Sequence, residues 1–312
     1  MRLLMFRDGA GRRLGVLRTG ADEVVDLAAV ATAAGAPAPP ADLLALIDEG
    51  DEGLRRVAAL VERPEAAAAV LPLAGLEVLP PLDPPRGNVI AIGRNYARHA
   101  AESAQARGGS GEIAPPTVFT KAITTIAGPH ADIAIDPAVS EQIDWEIELG
   151  VVIGRPGINI DREHALDHVF GYTVINDVTA RDIQSGWGGQ FFKGKSLDGS
   201  CPSGPWVVTR DEIPDPQALN LRLSVNGSVK QDANTRDMIY AVDAIISWVS
   251  VGMTLPAGTL IATGTPEGVG FARKPPEFLR PGDVVEAEVE GVGTHRNRVI
   301  AVPARLGSAV TG

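Results

Sequence analysis

Carboxylates placed two residues apart in an apolar run can share one face of a strand, and this chain has such a run from Asp144 through Glu146 and Glu148 into Leu149, Gly150, Val151 and Val152. Side chains alternate along an extended strand, so Asp144, Glu146 and Glu148 would project together, with roughly 7 Å between successive side-chain origins. Three like charges at that spacing repel. A solvated edge strand tolerates them, and Asp283 to Gly291 reads that way, with Glu286, Glu288 and Glu290 alternating with Val285, Ala287 and Val289. The earlier run continues into an apolar stretch that implies burial on both faces, and buried carboxylates need a cation or protons. Spacing alone leaves both readings open. Asp177 closes the next apolar run, Gly171 to Asp177, and the intervening loop is long enough to return the chain beside its predecessor. Two glutamates and an aspartate make an all-oxygen set, which suits Mg2+ or Mn2+, allows Ca2+ and disfavours zinc.

A second constellation is His99 and Glu102, three apart on a predicted helix and so able to touch. A carboxylate oriented against a histidine is a standard arrangement for a general base, although an exposed helix face has the same spacing. The Gly/Ser-rich stretch 105–112 follows, and such a stretch suits a lid that opens over a pocket. Residues 181–206 are glycine-rich and carry Arg181, Gln184, Gln190, Lys193 and Lys195, which reads either as a basic surface loop or as the receiver of an anionic, metal-chelating substrate. The turn from Ala262 through Thr263 to Gly270 exposes N–H groups that can hold a carboxylate. Cys201 has no adjacent base and reads as a packing residue. His164 and His168 lack the glutamate of a zinc-protease motif and read as surface residues, and His130 and His295 fall in turn-like sequence.

The elements that must position these groups are mostly strands. Nine apolar runs after Asn88 predict a sheet-dominated domain, interrupted by helices at 95–104, 161–169 (with Asp161 as N-cap) and 236–250. Asn226-Gly227 predicts a two-residue hairpin turn. The first forty residues read as short strands, followed by helical segments at 41–50 and 53–62, and the prolines at 80, 81, 84 and 85 place a domain boundary there.

Composition narrows the function classes. Among 312 residues, 39 acidic against 28 basic give a net charge of -11 with no basic stripe, which makes nucleic acid a poor partner. One cysteine excludes an intramolecular disulfide, and the charged start argues against a signal peptide, so a cytoplasmic protein is expected. Residues 244–266 carry no charge, but their Ser, Gly, Thr and Pro residues break a membrane span into a short helix, a turn and a strand. No Gly-rich nucleotide loop appears.

Seven stretches, in order, resemble the fumarylacetoacetate hydrolase family: 92–102 (IGRNYARHAAE), 117–121 (TVFTK), 144–154 (DWEIELGVVIG), 171–182 (GYTVINDVTARD), 194–206 (GKSLDGSCPSGPW), 225–227 (VNG) and 261–270 (IATGTPEGVG). The resemblance covers about 88–302 and is nearest to bacterial acylpyruvase or fumarylpyruvate hydrolase-like members of aromatic catabolism. It implies an α+β fold, a mixed β-roll catalytic domain over 86–312 with a small N-terminal α/β accessory domain over 1–85, usually in a homodimer. It further implies a divalent metal on Glu146, Glu148 and Asp177, an acid/base dyad of His99 and Glu102 on a mobile lid, an oxyanion-stabilising Lys195, and substrate contacts from Arg181, Gln184 and Thr263. The implied reaction is carbon-carbon hydrolysis of a small anionic 2,4-dioxo acid through a metal-bound enolate. The same resemblance also covers decarboxylation of oxaloacetate or related diacids and isomerisation or hydration of enol acids. A non-catalytic metal-binding protein is the alternative of another class, and its signature would be a damaged dyad or a lost lysine.

Overall fold

The computed structural model describes residues 1–302 apart from positions 10, 19, 21 and 108–115. The chain opens with strands β1 (Arg2–Asp8), β2 (Gly11–Leu17) and β3 (Glu23–Asp26), which lead into helix α1 (Leu27–Ala33). Asp26 caps that helix by accepting from the N–H groups of Ala28 and Ala29. The two predicted helical segments that follow form one element, α2 (Leu43–Val61), kinked at Gly50. Short strands β4 (Val70–Pro72) and β5 (Glu77–Leu79) precede the proline-rich stretch.

Beyond it come β6 (Val89–Gly93), helix α3 (Ala97–Arg107), β7 (Thr117–Lys121), β8 (Ile126–Ala127), β9 (Ile133–Ile135), β10 (Ile143–Asp144) and β11 (Ile147–Ile153). Strands β12 (Val169–Asn176) and β13 (Thr179–Ala180) lead to helices α4 (Arg181–Gly186) and α5 (Phe191–Lys195). The chain continues through β14 (Cys201–Thr209), β15 (Asn220–Val225), β16 (Ser228–Asn234), α6 (Val242–Val249), β17 (Leu260–Ala262), β18 (Val284–Val289) and β19 (Gly293–Ala301). The β15–β16 hairpin turns at Asn226 and Gly227, both at positive φ (52° and 73°) as a type I′ turn requires.

The α+β, sheet-dominated architecture is as expected. Its largest sheet runs β4-β3-β2-β1-β14-β12-β11-β17-β6-β7, and a second runs β16-β15-β18-β19-β9. Pairing is mixed: β17 lies parallel to β6, and β11 antiparallel to both β12 and β17. The N-terminal strands join the main sheet through β1 against β14. Strand β11 is buried on both faces because it separates two cores. Ile147, Leu149, Val151 and Ile153 pack with Ile245, Ile246, Val285 and Ala287 on one side. Val152 packs on the other with Leu3, Met5, Leu46 and Ile47. Alternation along β11 therefore sends Glu148 away from the first core.

Three local expectations change. Residues Arg162–His168 form a 3-10 helix, and Asp161 makes no side-chain cap. The predicted helix at 236–250 begins at Val242, because Thr235–Asp237 is a separate 3-10 turn. His295 lies within β19 and is fully buried, with its Nδ1 2.9 Å from Asn297 Oδ1, so it does not sit in a turn. No helix among the described residues is long and apolar enough to cross a membrane.

Candidate metal centre and acid/base dyad

The strand carrying the carboxylates is interrupted. Asp144 ends β10, Ile147 begins β11, and the N–H groups between them are satisfied by side chains: Glu146 donates to Asn176 Oδ1 (3.0 Å) and Ile147 to Gln231 Oε1 (3.0 Å). The interruption separates Asp144 from the other two. Its carboxylate accepts from Arg181 Nε (2.7 Å) and from the N–H groups of Gly270 (2.6 Å), Phe271 (3.0 Å) and Trp145 (2.8 Å). Asp144 thus anchors a turn, and Asp177 takes the third place. It follows β12, which pairs with β11, and its N–H bonds Glu146 O at 2.8 Å. Glu146, Glu148 and Asp177 each offer an oxygen within 4.8 Å of the others, and all three are buried.

Cations crowd this cluster. Lys195 Nζ lies 2.6 Å from Glu146 Oε2 and 2.8 Å from Asp177 Oδ2. Arg181 reaches Glu146 Oε1 at 2.6 Å, and Lys121 reaches Asp177 Oδ1 at 2.7 Å. Burial by itself would raise Glu146, but Lys195 and Arg181 outweigh it and hold the carboxyl down to about 2. Burial likewise works against the Lys195 ammonium, yet Asp177 and Glu146 prevail and keep it protonated. Glu148 has no ion pair among the described residues and accepts from Gly264 N–H at 2.7 Å. Burial, then the charges of Asp177 and Glu146, push its carboxyl well above the ordinary range.

Four buried carboxylates (Asp144, Glu146, Glu148, Asp177) therefore face three buried cations (Lys121, Arg181, Lys195). The donors are hard oxygens with one negative charge in excess, and Glu148 bears the strain of it. That set fits a divalent cation of the Mg2+ or Mn2+ class.

The dyad sits beside the cluster. His99 Nδ1 is 2.9 Å from Glu102 Oε1, and Gly268 N–H donates to both Glu102 oxygens at 3.1 and 3.2 Å. With Nδ1–H given to Glu102, Nε2 is the basic nitrogen, and it lies 3.4 Å from Ser103 Oγ. Gly268 has φ of 99°, and a Cβ there would come 2.1 Å from Lys230 O, so glycine is required for the turn to reach Glu102. The turn expected to hold a carboxylate does so, and the carboxylates belong to this chain: Glu102 and Glu148.

His99, Lys195, Glu146, Arg181 and Gln184 line one cavity of about 30 Å³, walled by Phe119, Phe191 and Phe271. Thr263 does not line it. Its hydroxyl donates to Leu149 O (2.8 Å), and Thr265 is the cavity residue of that turn. Arg181 is committed to Asp144, Glu146 and Gln184 Oε1 (3.1 Å) and lies 4.4 Å over the Phe271 ring, so its guanidinium braces the site. Lys121 escaped the sequence reading, although a lysine closing an apolar strand run was its signal. The greater part of the Gly/Ser-rich stretch expected to hinge a lid, from residue 108 onward, lies outside the described residues.

Fold and site together define a known class. Residues 88–300 match the fumarylacetoacetate (FAA) hydrolase C-terminal family, and the chain belongs to it. It is 42% identical over 267 residues to the oxaloacetate tautomerase YisK of Bacillus subtilis, covering 83% of this chain and 87% of that one. Among solved structures it resembles a fumarylacetoacetate hydrolase from Exiguobacterium antarcticum (39% identity, TM-score 0.80) and a 2-hydroxyhepta-2,4-diene-1,7-dioate isomerase from Mycobacterium marinum (32%, 0.72). Each comparison covers 97% of this chain and 100% of the other.

Cys201 is fully buried, and burial pushes its thiol up to about 12. The native protein should resist alkylation by iodoacetamide at pH 8 while the unfolded chain reacts. Rapid modification of the folded protein would overturn its packing role.

Proposed function

We propose that this protein is a divalent-metal-dependent enzyme of keto–enol chemistry on a small anionic 2-oxo acid, with a four-carbon diacid such as oxaloacetate as its first substrate. The supporting observation is that His99, oriented by Glu102, opens onto the same cavity as Lys195 and Glu146 of the carboxylate cluster. Glu146, Glu148 and Asp177 would hold a divalent cation, which would supply Lewis-acid charge to the substrate's 2-oxo group. His99 Nε2 takes a proton from carbon 3, the electron pair forms the C2–C3 double bond, and negative charge moves to the 2-oxo oxygen. Lys195 faces that oxygen as a protonated donor, and return of the proton there yields the enol. Glu102 balances the imidazolium that exists between the two transfers.

Hydrolysis of a 2,4-dioxo acid is the second reading. His99 Nε2, left free by the contact of Nδ1 with Glu102, would activate a water against the 4-oxo carbon. Two assays with Mg2+ and Mn2+ separate the readings: decay of enol-oxaloacetate absorbance, and pyruvate release from 2,4-dioxopentanoate. Tautomerisation of oxaloacetate well above the dioxo-acid rate supports the first; the reverse order supports the second, and silence in both removes the 2-oxo acid reading. The same proposal treats residues 1–85 as an accessory unit to 86–312 and the working enzyme as a homodimer. A monomeric mass by light scattering at assay concentration would refute the dimer.

A further inference from the structure

Arg94 stands apart from the other two Lys/Arg residues that line the cavity, Arg181 and Lys195. Lys195, Arg181 and Lys121 are each paired with buried carboxylates, and Arg98 is paired with Glu267 at 3.2 Å. Arg94 lines the same cavity as His99 and Lys195, is exposed at its rim, and makes no ion pair among the described residues. Its backbone is also unusual. At φ of 60° it is one of three non-glycine residues in the left-handed region among the described residues, a conformation that strains an L-residue.

The next residue shows what enforces it. Asn95 is fully buried, donates to Thr263 O (2.7 Å) and Tyr240 O (3.0 Å), and accepts from Tyr240 N–H (2.8 Å). Those bonds pin the turn between β6 and α3, and with it the base of Arg94. Glycine would meet the turn's demand without strain. The chain instead carries a guanidinium there, at the mouth of a site whose inner cations are already engaged.

We infer that Arg94 determines substrate class: it receives the distal carboxylate of a 2-oxo diacid, so that the site favours diacids over monoacids of equal length. The inference rests on the 2-oxo acid reading above. A substrate held at the cluster by its 1-carboxylate and 2-oxo oxygens leaves its far end between apolar walls, Phe119, Phe191 and Phe271. A terminal methyl tolerates those walls, whereas a terminal carboxylate needs a partner, and Arg94 at the rim supplies a planar, two-pronged donor.

A matched pair of stable probes tests this, 2-oxoglutarate and 2-oxopentanoate, which differ only in a terminal carboxylate against a methyl. Calorimetry on the Mg2+-loaded protein should find the diacid bound about 10- to 100-fold tighter, the range expected of a charge-assisted contact. Arg94→Gln should bring that ratio close to one, and Arg94→Lys should restore part of it. Arg94→Gly relieves the backbone strain, so it should fold at least as stably as the parent and still lose the preference; a purely structural arginine would not behave so. A parent ratio near one, or a preference retained in the Gln and Gly variants, overturns the inference while leaving the 2-oxo acid reading intact. Failure of both acids to bind removes that reading, and this inference with it.

Discussion

His99→Ala lowers kcat on the preferred 2-oxo acid by a factor of about 10² to 10⁴, the usual cost of removing a positioned general base. The geometry behind this expectation is the 2.9 Å contact of His99 Nδ1 with Glu102, which leaves Nε2 to act in the cavity. Metal and substrate affinity should change less than kcat, because the imidazole's hydrogen-bond partners are Glu102 and Ser103 and not the carboxylate cluster. Glu102→Gln should lose less, since an amide oxygen can still accept the Nδ1 proton. It also loses the charge that Gly268 N–H supports, so its deficit should appear in kcat more than in KM. Steady-state kinetics on both variants is the check. A His99→Ala enzyme keeping more than half of the parent kcat would remove the dyad from the reaction.

Glu148→Gln should abolish metal-dependent turnover while sparing the fold. Changes to partners outside a metal's own ligands cost about 10- to 100-fold in affinity, so loss of a ligating charge should exceed that. Stability provides a readout apart from activity. The parent protein should gain thermal stability with added Mg2+ or Mn2+, as any protein does with a ligand that binds only its folded state, and the variant should not.

The metal-free proteins should differ in pH dependence. Burial and the neighbouring carboxylates raise the folded-state value of Glu148 above that of the unfolded chain. Between those two values the folded state holds the extra proton, so stability contributed by protonated Glu148 is present at low pH and falls as pH rises through that window. The substitution should remove this fall. Equal metal-induced Tm shifts in parent and variant would reject Glu148 as a metal ligand, and identical pH profiles in chelator would reject its raised folded-state titration.

Much of this site was legible because its signals are local. Alternation along a strand puts Glu146 and Glu148 on one face, and a helical turn brings His99 to Glu102, whatever surrounds them. The continuous apolar run after Glu148 correctly pointed to a strand buried on both sides, and the family resemblance followed from residues in order. Helix limits were less legible. The stretch at 161–169 has helical spacing but forms a 3-10 helix, and the helix expected over 236–250 starts at Val242, six residues after its expected beginning.

Tertiary structure alone decided which groups joined the centre. Asp144 has the same spacing as Glu146, yet Arg181 and two N–H groups of the 270–271 turn draw it away, and Asp177 replaces it. The link between the His99–Glu102 pair and the carboxylate strand runs through Gly264 and Gly268, whose N–H groups hold Glu148 and Glu102 across 116 and 166 residues of sequence. Lys195 and Lys121 are basic residues in a polar loop and at a strand end until folding excludes water around them and leaves buried carboxylates as their partners. Local spacing determined which side chains could act as pairs on one strand or one helical turn, because backbone geometry repeats every two or about 3.6 residues. Which pairs meet, and with which charges, depended on desolvation and on contacts distant in sequence, for which the chain carries no local period.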